Sequence, residues 1–291
     1  MIAGLRRVAW ATWRPIAERA ARAYVAGPDL GHALATCRTL ARDGMPTTIC
    51  PWDGDGDSPR QVADTYLAAV AGLTGAGLDC HLSIKAPSLG FSSALLAELG
   101  AAARRGGIGV HFDSLGLTAA DPTWALIREM AAHDIPTGCT LPARWCRSLA
   151  DVDQAVELGV RVRVVKGQWA DPAVPEGAIR AAFLALVDRL AGRARQVAVA
   201  THDPALIRPA LEALRRAATP CELELLFGLP ARAPLRLARA SGVPVRFYVP
   251  YGKAWLPYSL SQLRRHPRVV WWTMRDWLLG WGWPGATPSR A

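Results

Sequence analysis

Eight polar residues stand where strand-like runs end: Lys85, Asp113, Thr140, Arg163, Lys166, His202, Glu224 and Tyr248. Side chains at the carboxyl ends of parallel strands converge on one rim, where α/β proteins gather their ligand sites. The set is rich in cations and poor in acids, so it suits an anionic ligand such as a pyrophosphate. Any one of these residues alone is better explained by a structural ion pair. Eight convergent positions are harder to explain that way. Of six dispersed histidines, His202 alone stands at a strand end beside an acid, Asp203, and that pair reads equally as a helix N-cap. No metal-ligand spacing and no GxSxG turn occurs, so neither metal binding nor serine-triad chemistry is indicated.

The elements that position these residues recur along the chain. Alternating apolar and polar residues predict strands at Thr47–Cys50, Cys80–Ile84, Ile108–Phe112, Thr137–Leu141, Val160–Val165, Gln196–Ala200, Cys221–Phe227 and Val243–Val249. Helix-length apolar-periodic segments lie between them, for example Ser92–Arg104, Thr123–His133, Ala178–Arg193 and Ala205–Arg216. Pro250-Tyr251-Gly252 is expected to end the last strand, because proline cannot continue a ladder. A helix with Leu256, Leu260 and Leu263 on one stripe follows. This order predicts an α/β fold, a (β/α)8 TIM-type barrel. A doubly wound sheet would want a GxGxxG turn, and none is present.

The expected organisation has three parts. Residues 1–42 form extra N-terminal helices, with an apolar stripe of Val8, Ile16, Ala20 and Tyr24. Residues 43–267 form the barrel. Residues 268–291 form a Trp-rich C-terminal cap and tail, holding Trp271, Trp272, Trp277, Trp281 and Trp283 of the chain's 12 tryptophans. A cap packed on the barrel is the favoured reading of that segment, and a membrane-interface anchor is its rival.

With 51% hydrophobic residues in 291, the chain can bury a large core. Its net charge of +10 comes mostly from scattered arginines. No basic stripe interleaves with aromatics, so no nucleic-acid partner is expected. Cys37, Cys50, Cys80, Cys139, Cys146 and Cys221 form no CxxC pair. Cys50, Cys80, Cys139 and Cys221 read as small core residues in a reducing compartment. No leader-like segment and no apolar run of about 18 residues occurs. The expected location is cytoplasmic, with peripheral contact at the inner face of the membrane left open.

Several ordered motifs then resemble one family. They are Tyr24-Val25-Ala26-Gly27; Leu82-Ser83-Ile84-Lys85 with Ser88-Leu89-Gly90; Arg163-Val164-Val165-Lys166-Gly167; Ala200-Thr201-His202-Asp203; the run Glu222 to Gly228; and Tyr248 to Gly252 with Trp255, Pro257 and Tyr258. From about Ala23 to Arg275 the chain resembles the FAD-dependent proline dehydrogenases. The resemblance implies FAD held non-covalently across the barrel mouth, with hydride leaving the carbon beside the ring nitrogen of a cyclic amine for flavin N5. By position, Arg163 would lie near N5, and Lys166, Gly167, Thr201, His202 and Glu224 would hold the rest of the cofactor. Lys85 would face the substrate and Tyr258 would pack on it. Asp113, Trp169, Tyr248, Ser261, Gln262, Arg264 and Arg265 fall on the substrate side.

The departures gather on that same side. The family's third-strand acid aligns with Val110, and Asp113 matches a later acid. Its fourth-strand glutamine becomes Gly138, and two of its tyrosines become Trp169 and Phe227. Its carboxylate-clamping arginine pair becomes Ser261 and Gln262, with Arg264-Arg265 three residues on. The expected substrate is therefore a modified, carrier-bound or otherwise non-standard proline-like amine, with a quinone or oxygen as electron acceptor. Ordinary proline oxidation, a flavin-binding homologue without amine oxidation, and a non-flavin barrel hydrolase or lyase are the alternatives.

Overall fold

The alternation in Arg161-Val162-Arg163-Val164-Val165 sends one set of side chains to each face of a strand. In the computed structural model, which describes residues 25–54 and 56–252, that pattern recurs in eight parallel strands. They are β1 (Thr47–Trp52), β2 (Cys80–Ile84), β3 (Gly109–Phe112), β4 (Thr137–Pro142), β5 (Arg161–Val165), β6 (Val197–Ala200), β7 (Cys221–Leu226) and β8 (Val245–Gly252). Each pairs with the next and β8 returns to β1, closing a barrel. The helices are α1 (Leu30–Arg42), α2 (Pro59–Ala76), α3 (Ser93–Gly106), α4 (Ala120–Ala132), α5 (Ser148–Glu157), α6 (Ile179–Leu190), α7 (Pro204–Arg216) and α8 (Arg232–Ala240). The expected (β/α)8 architecture is the one the chain adopts.

The outward strand faces are apolar. Leu82, Ile84, Val162, Val164, Leu223, Leu225 and Phe247 are buried in one core with helix residues such as Leu73, Leu99, Phe183 and Leu214. Burying each such side chain stabilises the fold by roughly 1.5–3 kcal/mol, and this shell holds the barrel closed. α1 joins the same core through Ala33, Cys37 and Leu40. Local signals start the helices. Ser58 and Gln61 form a capping box at α2, and Asp203 caps α7 with Pro204 at its first position. Cys37, Cys50, Cys80 and Cys139 are buried as core residues, but Cys221 is half-buried at the first position of β7 and Cys146 is exposed. No helix among the described residues is long and apolar enough to cross a membrane.

β8 corrects one expectation. The strand does not end at Pro250 but runs to Gly252, pairing Cys50 with Pro250, Pro51 with Tyr251 and Trp52 with Gly252. In a parallel strand, successive N–H groups point to alternate neighbours. Phe227 N donates to Tyr248 O on the β7 side, so position 250 faces that side too. There β7 has already ended at Leu226, and no donor is needed. Ala26 N donates to Pro250 O at 3.0 Å, and Gly252 N donates to Gly27 O at 3.2 Å. Residues 26–27 thus stand where β7 left off. The Val8–Tyr24 stripe, the helix of Leu256, Leu260 and Leu263, and the Trp-rich segment lie outside the described residues.

Candidate active site

Arg163 is the centre of the barrel mouth. It points inward from β5 and is 3% exposed. One terminal nitrogen, Nη1, donates to Asp113 Oδ1 at 2.7 Å and to Ser83 Oγ at 3.3 Å. The other, Nη2, sits 2.6 Å from Glu224 Oε1, yet its N–H is not aimed at that oxygen, so the contact is Coulombic rather than a formed hydrogen bond. Nε is buried with no partner. Tyr248 covers the guanidinium, with its ring centroid 5.0 Å away. The Tyr248 hydroxyl donates to Asp113 Oδ2 at 2.8 Å. Burial alone would weaken the charge on Arg163, but Glu224 and then Asp113 more than offset it and raise its pKa. Burial would push Glu224 up, yet Arg163 and Arg161 hold it down at about 2. Burial and the Asp113 carboxylate push Tyr248 well up, so its hydroxyl stays protonated and donates.

Lys85 closes one side of this group. Its Nζ donates to Pro51 O at 3.0 Å and lies 3.5 Å from Asp53 Oδ1 and 3.7 Å from Cys50 Sγ. Burial opposes the Lys85 charge, but the Cys50, Tyr66, Asp53 and Asp113 groups around it raise its pKa. Cys50 is pushed up to about 11, chiefly by burial, and so remains a thiol, donating weakly to Asp113 Oδ2 at 3.6 Å.

A second group lies at the ends of β5 and β6. Lys166 Nζ pairs with Asp203 Oδ2 at 2.9 Å, and Arg180 reaches the same oxygen at 2.7 Å. Gly167 has φ +93°, and a Cβ there would come within 2.8 Å of Pro142 Cβ. Only glycine fits that turn without strain, so the sequence match at this position has a steric cause. Thr201 Oγ1 accepts from Asp203 N at 3.2 Å. His202 lies within hydrogen-bond distance of Pro230 O through Nδ1, at 3.1 Å, and accepts from Leu226 N through Nε2, at 2.9 Å. This pattern assigns the neutral Nδ1–H tautomer, in keeping with a pKa lowered to about 4 by burial. Both ring nitrogens serve the backbone at the end of β7, so His202 supports the rim.

The expected site residues therefore sort by place. Lys85, Asp113, Arg163, Glu224 and Tyr248 meet in one unit, and Lys166, Gly167, Thr201 and His202 form a second patch beside it. Trp169 stands apart, 44% exposed, with its carbonyl accepting from Trp145 Nε1 at 2.9 Å. Val110 faces the helix layer and is 1% exposed, so the carboxylate that reaches the mouth is Asp113. Thr140 turns away from the mouth group to His111 Nε2, 3.0 Å off. Tyr258, Ser261, Gln262, Arg264 and Arg265 lie outside the described residues. No group of His, Cys, Asp or Glu among the described residues is arranged to hold a metal ion.

Sequence reasoning missed the layer beneath. Two residues before Arg163, Glu224, Tyr248 and Asp113 stand Arg161, Glu222, Arg246 and His111. Arg161 Nε donates to Glu222 Oε1 at 3.0 Å, and its Nη2 to Glu224 Oε2 at 2.7 Å and to Glu222 Oε1. Arg161 Nη1 lies 3.1 Å from His111 Nδ1. Arg246 binds Glu222 at 3.1 Å, Thr47 O at 2.8 Å and Asp79 at 3.2 Å. The period-two spacing, 161/163 and 222/224, was the signal that could have found them.

Comparison with known proteins bears on this geometry. No family model matches the chain. It is 26% identical over 263 residues to proline dehydrogenase 1 of Bacillus subtilis subsp. natto, covering 85% of this chain and 87% of that protein. It is 27% identical over 288 residues to the proline dehydrogenase of Deinococcus radiodurans, covering 91% of each. Over most of its length the chain is similar to these proline dehydrogenases. Solved structures agree on the fold. Proline utilization A of Bdellovibrio bacteriovorus, inactivated by N-propargylglycine, superposes with a TM-score of 0.75 at 16% identity over 85% of this chain. That of Corynebacterium freiburgense gives 0.71 at 19% identity over 91%. The chain spans about a third of each, 32% of their lengths. The described residues at the mouth of this chain join an arginine, two carboxylates, a tyrosine and a lysine in one connected unit.

Proposed function

We propose that this chain oxidises the C–N bond of a cyclic, proline-like amine, passing a hydride to FAD held across the barrel mouth. The observation that carries the proposal is Arg163. It is buried and pinned by Asp113, roofed by Tyr248, and left with Nε unpartnered. A buried donor without a partner is costly unless a ligand takes it. The cradle at Gly167, which a Cβ would fill, and the Lys166 ammonium beside it suit a cofactor with a phosphate arm. The residues present thus fit FAD.

FAD, when bound, supplies the hydride acceptor. Arg163 would hold the cofactor's ring and offset the negative charge that gathers there on reduction. Asp113 and Glu224 keep the guanidinium oriented, and Tyr248 keeps water off it. Lys85 would face the amine. A charged ammonium there opposes protonation of the substrate nitrogen, and only the neutral amine has the lone pair that expels a hydride from the adjacent carbon. Lys166 and Gly167 would hold the phosphate arm, while Thr201 and His202 keep that rim in shape.

The finer reading concerns the substrate. Ser261 and Gln262 carry no charge to hold a carboxylate, so the amine is proposed to be esterified, carrier-bound or otherwise modified, with a quinone or oxygen taking the electrons. Arg264 and Arg265, three residues further along the chain, would serve a longer acid. A panel of cyclic amines offered to the flavin-loaded protein tests this. Modified prolines should bleach the flavin faster than free proline, and Ser261→Arg/Gln262→Arg should improve turnover of free proline. Robust oxidation of free proline by the unmodified chain, with no gain in the double variant, makes it an ordinary proline dehydrogenase.

A further inference from the structure

We propose that the amino-terminal end of the barrel carries a second binding site, for a small phosphate-like oxyanion, formed by Arg195 and His81 beside the Arg161 ion network. A cavity of about 100 Å³ opens there, lined among others by His81, His111, Arg161, Arg195 and Gln196. No carboxylate lines it. One water needs roughly 10–15 Å³ of such space, so there is room for a tetrahedral oxyanion.

Two glycines shape the cavity. A Cβ on Gly109 would lie 2.9 Å from His81 Cδ2, and one on Gly138 would lie 2.1 Å from His111 Nδ1. The imidazoles therefore fold into space that only glycine leaves, and they form the cavity wall. Arg195 stands exposed at the opening with no carboxylate partner among the described residues. Glu222, Glu224 and Asp79 partner Arg161 and Arg246 beneath it, so the cation offered at the opening is Arg195. Burial lowers His81 most, and Arg246 and Arg161 lower it further. His111 is lowered by burial and then by Arg163 and Arg161. Both imidazoles are therefore neutral, and the His81 ring can offer an N–H to an anion held by Arg195.

The position also links the two ends of the barrel. Arg161 binds Glu224 Oε2 at 2.7 Å, and Glu224 Oε1 is 2.6 Å from Arg163 at the mouth. An anion held by Arg195 and His81 places negative charge beside this network, so occupancy at the floor should shift the flavin's reduction potential.

The test uses the flavin-loaded full chain, with flavin absorbance followed throughout so that loss of cofactor is not mistaken for loss of anion. Inorganic phosphate is titrated at constant ionic strength against chloride, reading the melting temperature and direct calorimetry. Saturable binding is expected, weakened about tenfold in Arg195→Gln by loss of one charge-assisted contact. His81→Gln should weaken it as well. Arg195 is exposed, so its variant stays informative if the His81 variant does not fold. Crystals soaked in selenate should show an anomalous peak beside Arg195. Phosphate binding of equal strength in Arg195→Gln, binding only when flavin is absent, or no saturable binding would each overturn the proposal.

Discussion

The floor and the mouth of the barrel use the same residue types, one step of the pleat apart on the same strands. On the floor, each nitrogen of Arg161 has a partner in Glu222, Glu224 or His111, and each nitrogen of Arg246 has one in Glu222, Asp79 or Thr47 O. At the mouth, Arg163 is held firmly on one nitrogen and left open on Nε. A satisfied ion network fixes a core. An unsatisfied one, equally buried, is poised for a ligand. Most barrels fill their interior with branched apolar residues, and here polar groups in these two layers replace them. The difference teaches that buried charge is not itself a sign of function. The unpaired donor is.

The largest test of this contrast is Glu222→Ala. It leaves Arg161 and Arg246 buried without their shared carboxylate, and breaking such a pair should destabilise the chain by about 3–5 kcal/mol. Urea unfolding checks it. A loss below about 1 kcal/mol would remove the structural role assigned to the floor.

Acid should act next. His202 is held to about 4 against an ordinary 6.5, so between those values the unfolded chain binds more protons. Stability should therefore fall as pH drops from 6.5 to 4, by on the order of 3 kcal/mol for this group. Glu224, held at about 2 against 4.5, contributes fully above pH 4.5, and that contribution is lost as pH falls towards 2. Urea midpoints across this range measure both. A flat profile from pH 6.5 to 4 would contradict the neutral, backbone-bound His202, and His202→Gln should reduce the slope there.

A paired substitution separates the regions further. Gly138→Ala forces His111 to move and should cost about 1–3 kcal/mol while flavin content is unchanged. Gly167→Ala should lower flavin retention more than it lowers the melting temperature. Equal effects of the two on flavin content would erase the distinction.

The barrel was legible because its strands alternate so regularly. Cys80–Ile84 matches residue for residue, and each of the other strands is displaced by one to three residues at one end or both. Pro250 misled because its effect depends on whether a neighbour lies on its N–H side, and that is set by where β7 stops. The mouth residues were legible from the strand-end rule, since Lys85, Asp113, Arg163, Glu224 and Tyr248 do meet. Arg161, Glu222 and Arg246 were not, because the rule looks only at strand ends and a barrel interior is ordinarily apolar. His202 was legible as a rim residue, but its use of both nitrogens on backbone groups depends on Pro230 and Leu226, distant in sequence.

The smallest expected stability effect is at Tyr248→Phe. It removes one hydrogen bond to Asp113 and should cost about 1 kcal/mol, yet slow flavin reduction measurably. Unchanged reduction would place Tyr248 outside the chemistry.

The most direct measurement is the absorbance spectrum of the purified chain before and after anaerobic addition of cyclic amines, in the wild type and in Arg163→Ala. The account predicts bound FAD in the wild type, bleaching by at least one proline-like amine, and weakened flavin retention or slowed bleaching in the variant. A colourless protein that takes up no FAD on reconstitution, or an Arg163→Ala variant with full flavin and unchanged reduction, would contradict it.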